Sequence, residues 1–265
     1  MPSEPAPPLS AAINRLWLPR ADLSACVRGT MTRSTLGLAL SDAQRFNHYP
    51  ATPLCSIGWM FEGSTELLPS HAPAEMTQPR VPLPGRITFS GPFTRPSVSW
   101  NPGPAHGMML MLMPDALHRL TGLDVTLWVN RVTTLDEALP ADCAGEWQAM
   151  AERVLALPDD AARVAAIEDF LGPRWQAARP AQPALVHRYQ DWAHALALRA
   201  ATSAPGRSLR QVERRIKQWS GLPMRELRGT GRVEQAFFAG LAMAEAEGHP
   251  NWAELAGATG YADQS

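Results

Sequence analysis

The stretch Ser208-Leu-Arg-Gln-Val-Glu-Arg-Arg-Ile-Lys-Gln-Trp-Ser-Gly221 decides how this 265-residue chain is read. Ser208 has the side chain of an N-cap, and Gly221 suits the left-handed position just past a helix end. The spacing therefore predicts a helix over Ser208–Trp219. Leu209, Val212, Ile216 and Trp219 recur at helical intervals on one face. Arg210, Arg214 and Lys217 fall at i, i+4 and i+7 on another, with Gln211, Arg215 and Gln218 beside them. The apolar side can dock on neighbouring helices while Arg and Gln side chains project outward together. Arg matches the paired acceptors of guanine and Gln the donor–acceptor edge of adenine, so the mixture suits the DNA major groove. The same residues also occur on ordinary solvated helices.

Charge adds to this. The whole chain is near neutral, at −1, but residues 1–180 carry −3 and residues 181–265 carry +2. Between Arg207 and Arg232 lie eight basic side chains, interrupted by Glu213 and Glu226 alone. A confined basic block on a near-neutral chain is the footprint expected where phosphates are met, or else a solvated helix face. Lys217 is the single lysine among 24 basic residues, which fits the codon usage of a GC-rich bacterial genome.

Apolar residues make up 45% of the chain, enough to bury a core, and the length suits one large domain or two of ordinary size. Cys26, Cys55 and Cys143 are too few and scattered for a disulfide framework or zinc cluster, and read as small buried hydrophobes in a reducing compartment. The Pro-rich start, Met1 to Leu9, has no secretory pattern. The longest apolar run, Met108–Met113, is far short of the ~20 residues that span a bilayer. A cytoplasmic protein without membrane contact is expected.

From Asp22 to Asn130 the sequence reads as short strands set off by Pro and Gly: Leu23–Gly29, Thr35–Leu40, Leu54–Phe61, Arg86–Phe89, Val98–Trp100, Gly107–Met113 and Val125–Val129. Such spacing suggests a small β-sandwich or barrel. Met108–Met113 shows no alternation, as expected of a strand covered on both faces. A short helix, Pro114–Leu120, should follow and stop at Gly122. Beyond Leu135 the composition turns to Ala, Leu, Glu and Arg. Helices are expected at Ala144–Ala156, at Asp160–Leu171 with Asp159-Asp160 as cap, and at Ala184–Ala201. Residues 1–10 read as a disordered tail.

After Gly221, Leu222-Pro223 sets up a long helix to Glu247, with Leu227, Val233, Phe237, Leu241 and Ala244 inside and with Gly229 and Gly231 as weak points. Asn251-Trp-Ala-Glu254 is a capping box, and Trp252–Thr259 a short helix that stops at Gly260. A short helix, a tight Gly turn and a following helix outline a helix-turn-helix.

Taken together, Ser208–Gly221, Leu222-Pro223, Leu255-Ala256 and Gly260-Tyr-Ala-Asp-Gln-Ser265 resemble the DNA-binding domain of the AraC/XylS family of transcription regulators, over about Gln182–Ser265. The resemblance implies an α+β protein, with an N-terminal β-rich, cupin-like module ahead of an all-α domain of two helix-turn-helix units bridged by a long helix, here Pro223–Glu247. The implied division is a β-rich sensor or dimerisation module at 11–135, a helical linker at 136–181 and the DNA-binding domain at 182–265. Double-stranded DNA is the implied partner, with a small-molecule effector and a second copy of the chain as further ones. No cofactor, metal or catalysis is implied.

Residue by residue, the resemblance makes Ser208–Trp219 the first recognition helix. Arg210, Glu213 and Arg214 then face the bases, with Ser208, Gln211, Arg215 and Lys217 adjacent. Ala256 lies at a tight helix crossing, Tyr261 packs in the second turn, and Asp263, Gln264 and Ser265 open a second recognition helix. Two departures stand out. Arg199–Arg207 matches a supporting helix and tight turn poorly, leaving Asp191–Ala201 as support. The given sequence also stops at Ser265, where that second helix begins, so the alternative is a truncated paralogue acting through protein contacts.

His48, His71, His106 and His118 fall in the β-rich part, but no closely spaced His pair with a following Glu suggests a metal. A cupin-type enzyme would need one. His187, His194 and His249 read as surface or packing residues. Trp17, Trp59, Trp100 and Trp128 are expected to line a core. A ligand pocket, if one exists, is expected near Arg45–Pro50 and Trp100–His106, which otherwise read as turns.

Overall fold

The computed structural model describes residues 13–69, 74–180, 188–203, 208–247 and Gly257. Among these residues the strands are β1 (Ile13–Trp17), β2 (Val27–Ser34), β3 (Phe46–Tyr49), β4 (Cys55–Glu62), β5 (Glu66–Leu67), β6 (Val81–Pro82), β7 (Ile87–Ser90), β8 (Ser97–Trp100), β9 (His106–Leu112) and β10 (Val132–Thr134). They form a six-stranded sheet in the order β1-β2-β9-β4-β7-β10 and a four-stranded sheet in the order β3-β8-β5-β6. The α-helices among the described residues are α1 (Pro114–Thr121), α2 (Leu135–Ala138), α3 (Ala141–Ala156), α4 (Asp160–Ala178), α5 (Tyr189–Thr202), α6 (Leu209–Ser220) and α7 (Met224–Glu247). A β-rich N-terminal part followed by an all-helical part is the order expected of an α+β chain.

The large sheet is built on alternation. Cys55, Ile57 and Trp59 of β4 stand opposite Leu112, Leu110 and Met108 of β9, and all six are buried. Helix α3 covers this face, and the Trp59 indole N–H donates to the Ala151 carbonyl at 2.9 Å. The opposite face, with Met109 and Met111, is half-buried. The expectation that Met108–Met113 is covered equally on both sides is corrected: the run hides a two-residue alternation because methionine fills both positions. Trp59 joins the main core as expected, Trp17 and Trp128 pack partly against it, and Trp100 belongs to a separate small cluster with Phe46 and Leu68.

Other strand expectations shift. Leu23 ends a 3₁₀ turn, Ala21–Leu23, and the strand expected at Leu23–Gly29 starts at Val27. The expected strand at Thr35–Leu40 is a turn through Gly37, whose φ is +76°. The one at Val125–Val129 is a 3₁₀ turn, because the Asp124 carboxylate accepts the Thr126 N–H and closes it locally. Strands β1, β3 and β10 carry little alternation of their own and are specified by their partners β2, β8 and β7.

Some helix ends are set by local caps. Helix α1 ends on Gly122 at φ +71°, and α4 starts where the Asp159 carboxylate accepts the Ala162 N–H. Helix α4 runs beyond Leu171 and through Pro173, and Trp175, 2% exposed, anchors the additional turns. Helix α7 continues through Gly229 and Gly231 to Glu247. Gly231 is buried against Gln190 at the start of α5. Leu227 is buried as expected; the side chains of Phe237, Leu241 and Ala244 lie outside the described residues. Among the described residues, no helix is long and apolar enough to cross a membrane.

One hydrophobic core runs through both parts. Trp192, Leu196 and Ala200 of α5, Ile216 of α6, Leu222 and Leu227 belong to the same cluster as Ile57 and Leu110 of the sheet.

Candidate nucleic-acid interface

Helix α6 begins with a capping box. Ser208 Oγ accepts the Gln211 N–H at 3.4 Å, and Gln211 Oε1 accepts from the Ser208 N–H at 3.4 Å. The two side chains thereby close the first turn reciprocally, beside the Gln211 N–H bond to the Ser208 carbonyl at 2.9 Å. The helix stops on Gly221 at φ +78°, whose N–H returns to the Lys217 carbonyl at 2.8 Å. Ser220 Oγ donates to the Ile216 carbonyl at 2.7 Å and accepts the Leu222 N–H at 3.3 Å.

One side of α6 is anchored. Ile216 is buried, and Val212 and Trp219 pack partly against the core. Arg215 donates to the Ala200 carbonyl on α5 at 2.9 Å. Leu209, expected on this apolar face, is instead 88% exposed. It occupies the first helical position, and the packed residues of α6 begin at Val212, nearly a turn further on. Asp191–Ala201, where a supporting helix was expected, lies within the regular helix α5.

The outward side presents Arg210, Glu213, Arg214, Lys217 and Gln218, all exposed. Glu213 turns to its neighbour, and its Oε1 accepts the Met224 N–H at 3.0 Å at the start of α7. Its carboxylate therefore links α6 to the start of α7 while offsetting one positive charge. Ser208 and Gln211 are engaged in the cap, and Arg215 in the α5 contact. The outward cationic row is thus Arg210, Arg214 and Lys217, with Gln218 beside it. Gln264 and Ser265, together with Ala256, Tyr261, Asp263 and the capping box at 251–254, lie outside the described residues.

Lys217 also lines a cleft of about 420 Å³ with Thr94, Arg95, Thr126, Glu226 and the Gly221–Pro223 turn. Arg95 comes from the loop between β7 and β8, and no local signal in the sequence connects it with α6.

The helical part is fastened to the strands by two buried carboxylates that the sequence reading passed over. Asp115 on α1 accepts the Trp192 indole N–H at 2.8 Å and Arg199 at 2.6 Å. Glu234 on α7 accepts Arg28 of β2 at 2.8 Å and the Tyr189 N–H at 2.7 Å. Burial raises the Tyr189 phenol above its ordinary pKa. These residues are far apart in sequence and of common type, so spacing could not reveal them.

The segments where a pocket was expected lie side by side as β3 on β8. Arg45 donates to the Pro102 carbonyl at 2.8 Å, and Asn47 Nδ2 to Asn101 Oδ1 at 2.8 Å, so their polar groups serve packing. His106 Nε2 sits 3.1 Å from Asp160, and His118 Nδ1 2.8 Å from the Leu123 carbonyl. His71, His187 and His249 are outside the described residues. Among the described residues, no three His, Cys, Asp or Glu side chains converge as a metal-ligand set.

No family model matches this chain, and no curated protein matches it. Among solved structures, the AraC-like transcriptional activator CuxR is 14% identical with a TM-score of 0.33, covering 85% of this chain and 80% of that one. ToxT from Vibrio cholerae is 10% identical with a TM-score of 0.34, covering 83% and 86%. HEPD from Streptomyces albus, with 2-hydroxyethylphosphonate and Fe(II) bound, is 15% identical at 0.27, covering 82% and 42%. At TM-scores of 0.34 and below, these likenesses carry no argument about what the chain does.

Proposed function

We propose that the chain is a sequence-specific, DNA-binding regulator of transcription that places α6 in the major groove and acts by binding, without catalysis. The observation that carries this reading is the division of α6 into an anchored and an open face. Ile216, Arg215 and Glu213 hold the helix to α5 and α7, while Arg210, Arg214 and Lys217 project together into solvent. A helix held in this way loses little conformational freedom when it meets DNA. Arg210 and Arg214 are assigned to base edges and Lys217 to a phosphate. Ser208, Gln211, Glu213 and Arg215 position the helix; Gln264 and Ser265, outside the described residues, are assigned to DNA by the sequence resemblance alone. The sequence resemblance to the AraC/XylS family supports the same assignment, with 11–135 as sensor or dimerisation module, 136–181 as linker and 182–265 as reading domain.

Selection from random double-stranded DNA, followed by fluorescence anisotropy on the enriched sequence, tests this. Arg210→Ala and Arg214→Ala should each weaken specific binding by about 1–3 kcal/mol, roughly 5- to 150-fold. If both variants bind the enriched sequence as tightly as the parent, α6 is not the reading helix.

A further inference from the structure

Helix α1 is eight residues long, and Asp115, His118 and Arg119 fall at i, i+3 and i+4, on one face. Trp219, from the last turn of α6, stands across from them. Between these four side chains lies a cavity of about 240 Å³. It sits where the strand-bearing part meets α6, beside the Asp115–Arg199 ion pair.

The charges around it do not balance. Both carboxylate oxygens of Asp115 are already engaged, one by the Trp192 indole N–H and the other by Arg199. Arg199 neutralises Asp115, stacks over Trp219 at 4.9 Å from the ring centroid, and keeps a buried Nε that makes no hydrogen bond among the described residues. Arg119 lines the cavity as a second, exposed guanidinium, with no carboxylate in ion-pair contact among the described residues. Partial burial and the nearby positive charge of Arg199 hold its pKa below the ordinary guanidinium value, with Asp115 opposing them. Two guanidinium groups thus stand near one carboxylate in a solvent-open cleft with an indole wall.

We propose that this cleft is a binding site for a small organic carboxylate, with its charged group on Arg119 and its apolar body against Trp219. A carboxylate only accepts hydrogen bonds, and its flat pair of oxygens matches the guanidinium fork. One negative charge is what the Arg119–Arg199–Asp115 group needs to become neutral overall. The volume suits a molecule smaller than a typical drug-sized ligand. The bound acid would link α1 to the last turn of α6. Any effect on DNA affinity rests on reading α6 as the groove-entering helix; the site itself does not.

The test uses the full chain without DNA, so its result is independent of that reading. Sodium propionate is titrated against tryptophan fluorescence, with sodium chloride at matched ionic strength as control and Trp219→Phe to assign the signal. Propionate should give a saturable change that chloride does not, and Trp219→Phe should remove it. Arg119→Gln should weaken propionate binding at least tenfold, with Arg119→Lys intermediate. Arg119→Gln should melt at or above the parent's temperature, since relief of like-charge repulsion accompanies the change. Equal responses to propionate and chloride, or full binding by Arg119→Gln, would overturn the proposal. Saturable binding of inorganic phosphate without any of propionate would overturn the carboxylate assignment.

Discussion

Arg28 on β2 and Glu234 on α7, 206 positions apart in sequence, meet in a 2.8 Å ion pair, and the Glu234 side chain is only 8% exposed. The second oxygen of Glu234 accepts the Tyr189 N–H at the start of α5. One carboxylate therefore ties the strands, α5 and α7 to each other, and α6 packs against both of these helices.

Removing this carboxylate should be costly. Glu234→Ala leaves the Arg28 charge and the Tyr189 amide without their partner, and should lower stability by about 3–5 kcal/mol. Glu234→Gln keeps an acceptor for the amide and should lose less. Urea denaturation followed by circular dichroism measures both; equal losses would mean that the charge contributes nothing.

Gly221 is a second joint. Its φ of +78° is strained for any residue with a side chain, and an added Cβ would stand 2.9 Å from Val125 Cγ1. Gly221→Ala should destabilise the chain by about 1–2 kcal/mol from the left-handed backbone alone, and by more from the close approach to Val125. A melting curve like the parent's would show that the turn relaxes freely.

Two arginines of α6 should behave oppositely. Arg215, bound to the Ala200 carbonyl, should cost about 1.5–3 kcal/mol of stability when changed to Ala. Arg210, exposed, should shift stability by no more than about 0.5 kcal/mol and reduce DNA binding instead. Thermal melts beside anisotropy separate the roles, and a destabilised Arg210→Ala would contradict the open-face assignment.

Salt dependence tests Lys217. If it meets a phosphate, Lys217→Gln should reduce the slope of log Kobs against log salt by about 0.9 and weaken binding to all sequences alike. An unchanged slope places Lys217 off the DNA.

The thiols give a pH signature. Burial pushes Cys26 and Cys55 far above the ordinary thiol value, and burial with Asp142 raises Cys143. The folded chain thus holds protons that the unfolded chain releases above its thiol pKa of 9.0. The stabilisation is full below that pH and is lost as pH rises, by up to about 1.4 kcal/mol per thiol per pH unit. The urea midpoint should fall between pH 9 and 10. In native chains at pH 8, Ellman's reagent should reach Cys143 first, and Cys26 and Cys55 only on unfolding; early loss of all three thiols would contradict the burial.

Local chemistry made several elements legible. Ser208 and Gly221 mark α6 because a cap and a left-handed residue act within one turn. Asp159 and Gly122 mark the start of α4 and the end of α1 for the same reason. The alternation of β4 is visible because Cys55, Ile57, Trp59 and Phe61 differ in kind from their neighbours; in β9 it is hidden, since Met109 and Met111 are as apolar as the buried residues between them.

By itself, then, the sequence determined where α6 starts and stops, which of its faces is cationic, and that strands precede helices, since caps, glycines and helical periodicity are local. The tertiary structure decided which polar groups of α6 remain outward. Glu213 turns to the Met224 amide and Arg215 to the Ala200 carbonyl, while Leu209 stays in solvent, because each outcome depends on where α5 and α7 lie. It also decided the meetings of Arg28 with Glu234 and of Asp115 with Arg199. Long-range pairs of common residues leave no periodic trace, and the strong cost of a buried unpaired charge becomes visible only once the chain has brought its partner to it.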